Sequence, residues 1–167
     1  TAIAEIPNQE VLMRLSFASP AAPKSGALVL LAYEGKPLGA LAKAADVATG
    51  GAIKRAMAAV EMTGKIGQLA DVAGADGLKA RRIYVVGMGK AADLSDLKVR
   101  EAAGAAALKL QAGKDKTATI QIDADGASMD GAEIAANFAY GVRLKTYSFD
   151  QYKTKDKDGV VLGTVAV

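Results

Sequence analysis

Two patterns alternate along the chain. Short, densely apolar runs of strand length give way to longer stretches in which apolar residues recur every three or four positions. Residues 27–33 (ALVLLAY) are almost wholly apolar, as in a strand covered on both faces. Residues 81–86 (RRIYVV) form the clearest strand and end in Gly87-Met88-Gly89-Lys90. Further strands are predicted at 11–17 (VLMRLSF), at 65–72 (KIGQLADV), where Ile66 is the firmest core residue, and at 117–122. Pro20 and Pro23 interrupt regular hydrogen bonding in 18–25, and Glu34-Gly35-Lys36-Pro37 and the stretch 74–78 turn the chain.

The helical period marks 38–47 and 52–60, separated by Thr49-Gly50-Gly51. In the second, Ile53, Met57 and Val60 share a face, while Lys54, Arg55 and Glu61 turn to water. Residues 97–110 are rich in alanine, which costs little side-chain entropy and lets a helix lie close to a sheet; Asp93 or Ser95 is its cap. A last helix is predicted at 132–144, with Asp130 as cap, Glu133 three residues on, and Ile134, Phe138, Val142, Tyr140 and Leu144 as its apolar surface. Repeated strand-then-helix order predicts a three-layer α/β/α fold with a mixed or mostly parallel sheet. The tail differs. Tyr147, Phe149 and Tyr152 precede a polar run, 153–159 (KTKDKDG), and an apolar one, 160–167 (VVLGTVAV). That last run is either a strand paired to this sheet or the start of a connection into a further domain.

The length, 167 residues, fits one domain. Apolar residues make up 51%, much of it alanine, so the core must be closely packed rather than built on bulky rings. The net charge of +3 is spread among interleaved acids, which makes a weak nucleic-acid face. With no basic segment leading into an apolar run at 1–10, and no apolar stretch of membrane-spanning length, the chain is expected to be soluble and intracellular.

There is no His and no Cys. That excludes a Ser-His-Asp triad, a Cys nucleophile and a zinc site built on nitrogen or sulfur ligands. Gly87, Gly89 and Lys90 form an anion-loop candidate after a strand, although the spacing is neither the Walker pattern nor the full dinucleotide fingerprint; a turn that needs small residues accounts for it equally. Asp123, Asp125, Asp130 and Glu133 miss the calcium-loop register, because Ser128 and Ile134 stand where glycine and a glutamate are needed; a solvated turn and a capped helix are expected instead. Lys153, Lys155 and Lys157 offer phosphate contacts but alternate with Asp156 and Asp158, as in a hydrated loop. Asp93 and Asp96 sit where a helix dipole favours their charged forms, which suits capping better than acid–base work. Thr49, Ser95 and Ser128 read as caps or turn residues. No residue is assigned as catalytic or as a metal ligand.

Taken in order, Ala48-Thr49-Gly50-Gly51-Ala52, Gly64-Lys65, Arg82-Ile83-Tyr84-Val85-Val86-Gly87-Met88-Gly89-Lys90 and Tyr147-Ser148-Phe149-Asp150-Gln151-Tyr152-Lys153 resemble the N-terminal domain of the leucyl (cytosol) aminopeptidase family. The resemblance covers roughly 11–161. It implies a macro-domain-like sheet and a single accessory domain over 1–167, with 153–159 as a charged loop. In that family a C-terminal catalytic domain follows, holds two divalent metals (manganese or zinc) and cleaves N-terminal residues from peptides. The family's Asn-Thr-Asp-Ala-Glu-Gly-Arg signature is absent here. The implied partners are the chain's own catalytic domain, a homohexamer and peptide substrates of the parent, in the cytoplasm and away from membranes. Some relatives also bind DNA. The alternative is a free-standing macro-like module for nucleotides or nucleic acid, since fold alone does not fix function.

Overall fold

A computed structural model describes residues 14–19, 22–152 and 164–166. The chain order is β1 (Arg14–Ser16), β2 (Ala27–Ala32), α1 (Ala40–Ala48), α2 (Ala52–Ala59), β3 (Leu69–Ala73), β4 (Arg82–Gly87), a short 3-10 turn (Ala91–Asp93), α3 (Asp96–Ala112), β5 (Thr117–Ile120), α4 (Gly131–Tyr152) and β6 (Thr164–Ala166). One six-stranded sheet has the order β1-β6-β5-β2-β4-β3. All neighbours pair in parallel except β3, which runs antiparallel to β4 at the edge.

The period-two pleat explains why β2 is buried throughout. Ala27, Val29 and Leu31 join Tyr84 and Val86 of β4 in a core completed by α3 and α4. Leu28 and Leu30 join Ile83 and Val85 in a second core with Ala42 and Ala45 of α1 and Ile53 of α2. Helices therefore cover both faces, giving the three-layer α/β/α arrangement. The alanines of α3 serve close approach. Ala102, Ala103, Ala106 and Ala107 are buried, and a Cβ on Gly141 of α4 would come within 2.8 Å of the Ala103 Cβ. Only glycine lets the two helices meet there.

Three sequence expectations shift. The strand predicted at 65–72 begins only at Leu69, and Ile66 is partly buried rather than a firm core residue. Gly64 and Gly67 take positive φ, and the Gln68 side chain folds back so that its Oε1 accepts the amides of Thr63, Gly64 and Lys65 at 2.9–3.1 Å. That is a turn, not a pleat. The helix predicted at 132–144 runs from Gly131 to Tyr152, so the backbone at Tyr147, Phe149 and Tyr152 is helical. Tyr140 and Leu144 stay about half exposed, while Ile134, Phe138 and Val142 are buried. The apolar tail does supply a strand, β6, inserted between β1 and β5. Residues 11–13 and the lysine run at 153–157 lie outside the described residues.

Candidate functional site

In an open α/β sheet, ligands bind outside the carboxyl ends of the strands, where neighbouring strands send their chains to opposite faces. One such point lies between β2, whose chain leads to α1, and β5, whose chain leads to α4. The crevice is filled by the protein's own groups. Tyr33, just past β2, donates its hydroxyl to the carbonyl of Asp123 at 2.6 Å. The Asp123 carboxylate accepts the amides of Leu41 at 3.1 Å and Ala42 at 3.2 Å in the first turn of α1.

The local N-cap of α1 is Gly39, which has no side chain to supply the bond, so Asp123 caps the helix from across the crevice. Gly39 leaves room for it: a Cβ there would lie 2.6 Å from the Asp123 Cγ. Burial, and then the charge of Asp123, pushes the Tyr33 hydroxyl up to about 12. Around this pair the loops are stitched together. Lys36 Nζ donates to the Gly126 carbonyl at 3.3 Å, the Ser128 amide to the Ala91 carbonyl at 2.8 Å, and the Leu94 amide to Ser128 Oγ at 3.1 Å.

The anion-loop candidate lies on the same edge. The amides of Gly87, Met88 and Gly89 donate to the carbonyls of Gln68, Ala32 and Gly64 at 2.8, 2.9 and 2.8 Å, and Lys90 is exposed. All three amides thus serve the packing of the 63–68 turn and β2 against this loop.

The acids singled out from sequence separate into different tasks. Asp123 is buried, contrary to the solvated turn expected there, because its oxygens are matched by helix amides. Asp130 Oδ1 accepts the Glu133 amide at 2.8 Å and caps α4. Ser95 caps α3, accepting the Lys98 amide at 3.3 Å. Asp96 takes a hydrogen bond from Asn137 Nδ2 at 2.9 Å, Arg100 donates to Asn137 Oδ1 at 3.0 Å, and the Arg100 guanidinium lies 4.5 Å over the Tyr140 ring. These groups join α3 to α4. The Thr49 hydroxyl donates to the Ala45 carbonyl at 2.9 Å.

A second buried polar cluster sits at the amino end of β4. Asp115 accepts from the Tyr84 hydroxyl at 2.9 Å and from Arg81 at 3.0 Å. Burial and the bond to Asp115 push Tyr84 up to about 12. Among the described residues, no group of three or more acids, histidines or cysteines is placed to hold a metal ion, and no helix is long and apolar enough to cross a membrane. Beside β5 lies a groove of about 950 Å³ lined by Phe17, Ile120, Ile122 and the small residues Ala132 and Ala135 of α4.

The roles of Asp123 as a remote cap and of Tyr33 as its partner escaped the sequence reading. Their signal was indirect: a helix starting at Ala40 with no Ser, Thr, Asp or Asn before it must find its cap elsewhere.

Comparison with known proteins adds a second line. Residues 29–156 match the profile of the cytosol aminopeptidase family, N-terminal domain. A protein of Rhodopseudomonas palustris named probable cytosol aminopeptidase is 39% identical over 146 residues, covering 87% of this chain and 29% of its own length. A namesake from Xanthobacter autotrophicus is 38% identical over 157 residues, covering 92% and 30%. The chain thus spans under a third of the curated relatives it matches. Among solved structures, a tomato leucine aminopeptidase variant superposes with a TM-score of 0.72 at 18% identity, over 92% of this chain and 32% of that one. The macrodomain of Mycobacterium tuberculosis DarG superposes with a TM-score of 0.63 at 10% identity, over 92% and 97%. Those two likenesses speak for the fold. The match across 29–156, together with the relatives' identity, places the chain in the cytosol aminopeptidase family, as its N-terminal domain.

Proposed function

We propose that this chain is the non-catalytic N-terminal domain of a longer cytoplasmic aminopeptidase, and that it acts in assembly and interdomain packing. The observation that carries this reading is the family match over 29–156 in a chain that spans about 29% of its relatives. The internal bonding of the crevice supports it. Where an active site would want free donors and an accessible base, the Asp123 carboxylate is bonded to the amides of Leu41 and Ala42, and the amides of Gly87, Met88 and Gly89 are bonded to backbone carbonyls. The family's divalent metal pair does not fit the described residues, since no acidic cluster there is placed to ligate it, so we assign metal binding and peptide hydrolysis to the C-terminal part of the parent. Homohexamer formation belongs to the same proposal. The test is leucine-amide hydrolysis with manganese, run on the 167-residue protein and on the full-length gene product. Activity only in the latter is expected; activity in the former, or in neither, overturns the proposal.

A second reading is a free-standing macro-like nucleotide-binding module, with which the DarG macrodomain shares only the fold. Calorimetry with ADP-ribose at millimolar concentration discriminates the two. The committed amides of Gly87, Met88 and Gly89 predict no heat. A nucleic-acid role through Lys153, Lys155 and Lys157 would show as affinity that falls steeply with added salt.

A further inference from the structure

The described part of β6, Thr164–Ala166, points along the sheet toward a groove. Its pairing ends where Ala166 stands opposite Thr119 of β5 and Ser16 of β1. Both flanking chains run on, through Ile120, Gln121 and Ile122 on one side and through Phe17, Ala18 and Ser19 on the other, and these six residues line the 950 Å³ groove. Strands in a sheet lie roughly 4.8 Å apart, so the gap between the second neighbours β1 and β5 admits one extended chain.

The backbone is oriented to receive it. The Gln121 amide donates to the Val29 carbonyl of β2 at 3.0 Å, and alternation then turns the backbone groups of Ile120 and Ile122 toward the β6 side. Alanines 132 and 135 of α4 form an apolar wall with room for side chains. Lys24 is the one charged residue on the rim among the described residues.

We propose that this groove seats the polypeptide that follows Ala166 in the full-length protein, as a parallel continuation of β6. The inference rests on the reading of this chain as the first part of a longer protein, and relatives of more than three times the matched length supply such a continuation. In this register the second residue after Ala166 donates to the Ile120 carbonyl and accepts the Ile122 amide. The following domain is then placed by strand register rather than hung on a free tether.

Amide hydrogen exchange tests this on the full-length protein and on the 167-residue protein. The Ile122 amide is expected to exchange about 100-fold more slowly in the full-length protein. A proline at the second position after Ala166, which has no N–H to give, should abolish that difference, and so should Ala135→Trp, which fills the groove from α4. Equal exchange in the two proteins overturns the proposal. So does protection in the 167-residue protein that rises with its concentration, which would assign the groove to a second copy. Leucine-amide hydrolysis by the same full-length sample reads the aminopeptidase proposal separately. A protected Ile122 in an inactive protein strikes only that proposal, and an unprotected Ile122 in an active one strikes only the strand seating.

Discussion

Tyr33 donates its hydroxyl to the backbone carbonyl of Asp123 at 2.6 Å, joining the chain that leaves β2 to the chain that leaves β5. The side chain of Asp123 is thereby aimed at the amides of α1, and Gly39 is the residue that leaves it space.

This arrangement predicts non-additive mutational costs. Asp123→Ala removes two charge-assisted bonds at a helix N-terminus and should destabilise the fold by about 2 kcal/mol. Gly39→Ala should cost a similar amount, because its Cβ would displace the carboxylate. In the Asp123→Ala background the Cγ is gone, so the second substitution should cost roughly 1 kcal/mol less. Urea unfolding of the two single variants and the double variant measures this. Simple additivity would refute remote capping.

Alkaline pH should unfold the protein through Tyr33 and Tyr84, both held up at about 12 against an ordinary value of 10.0. Between those values the unfolded chain has released its tyrosine protons and the folded one has not, so stability is full below pH 10 and falls as pH rises toward 12. Each tyrosine contributes on the order of 2 kcal/mol across that window. Urea midpoints from pH 9 to 11.5 should drop steadily, and Tyr33→Phe should make the drop shallower. The same slope in that variant would exclude Tyr33 as a source.

Gln68 Oε1 accepts four donors, the amides of Thr63, Gly64 and Lys65 and the Thr63 hydroxyl. A neutral amide oxygen is a modest match for so many. Gln68→Glu should therefore stabilise by about 1 kcal/mol at pH 7, and the gain should fade as the carboxylate protonates in acid. Gln68→Ala should destabilise by a similar amount. A glutamate variant weaker than wild type at pH 7 would contradict the account.

Two helical glycines should respond with opposite signs. Gly104→Ala meets nothing within 4 Å and should gain up to about 1 kcal/mol from helix propensity. Gly141→Ala drives a methyl into Ala103 and the Arg100 backbone, costing roughly 1–3 kcal/mol. Thermal midpoints of the two variants decide it, and a stabilised Gly141→Ala would show that the helices are free to part.

What the sequence disclosed was local. The apolar run of β2, the Ser95 and Asp130 caps and the alternation of strand and helix are written in neighbouring residues. The cap of α1 was hidden because its donor and acceptor lie eighty or more residues apart. The start of β3 was misread because Ile66 reads as part of the apolar run, whereas two left-handed glycines, Gly64 and Gly67, and a folded-back Gln68 turn the chain there. The end of α4 was set too early. No glycine or proline lies between Leu144 and Tyr152, and Thr146, whose hydroxyl donates to the Val142 carbonyl at 2.8 Å, lets the helix continue.

Because β1 has β6 as its sheet partner, the first of the described strands to be synthesised is the one that waits for the last of them. Vectorial synthesis can assemble β2, β4 and their covering helices early, while Arg14, Leu15 and Ser16 wait for Thr164, Val165 and Ala166. A nascent chain stalled after β5 and before β6 would display an unzipped margin along β5, a natural foothold for chaperones.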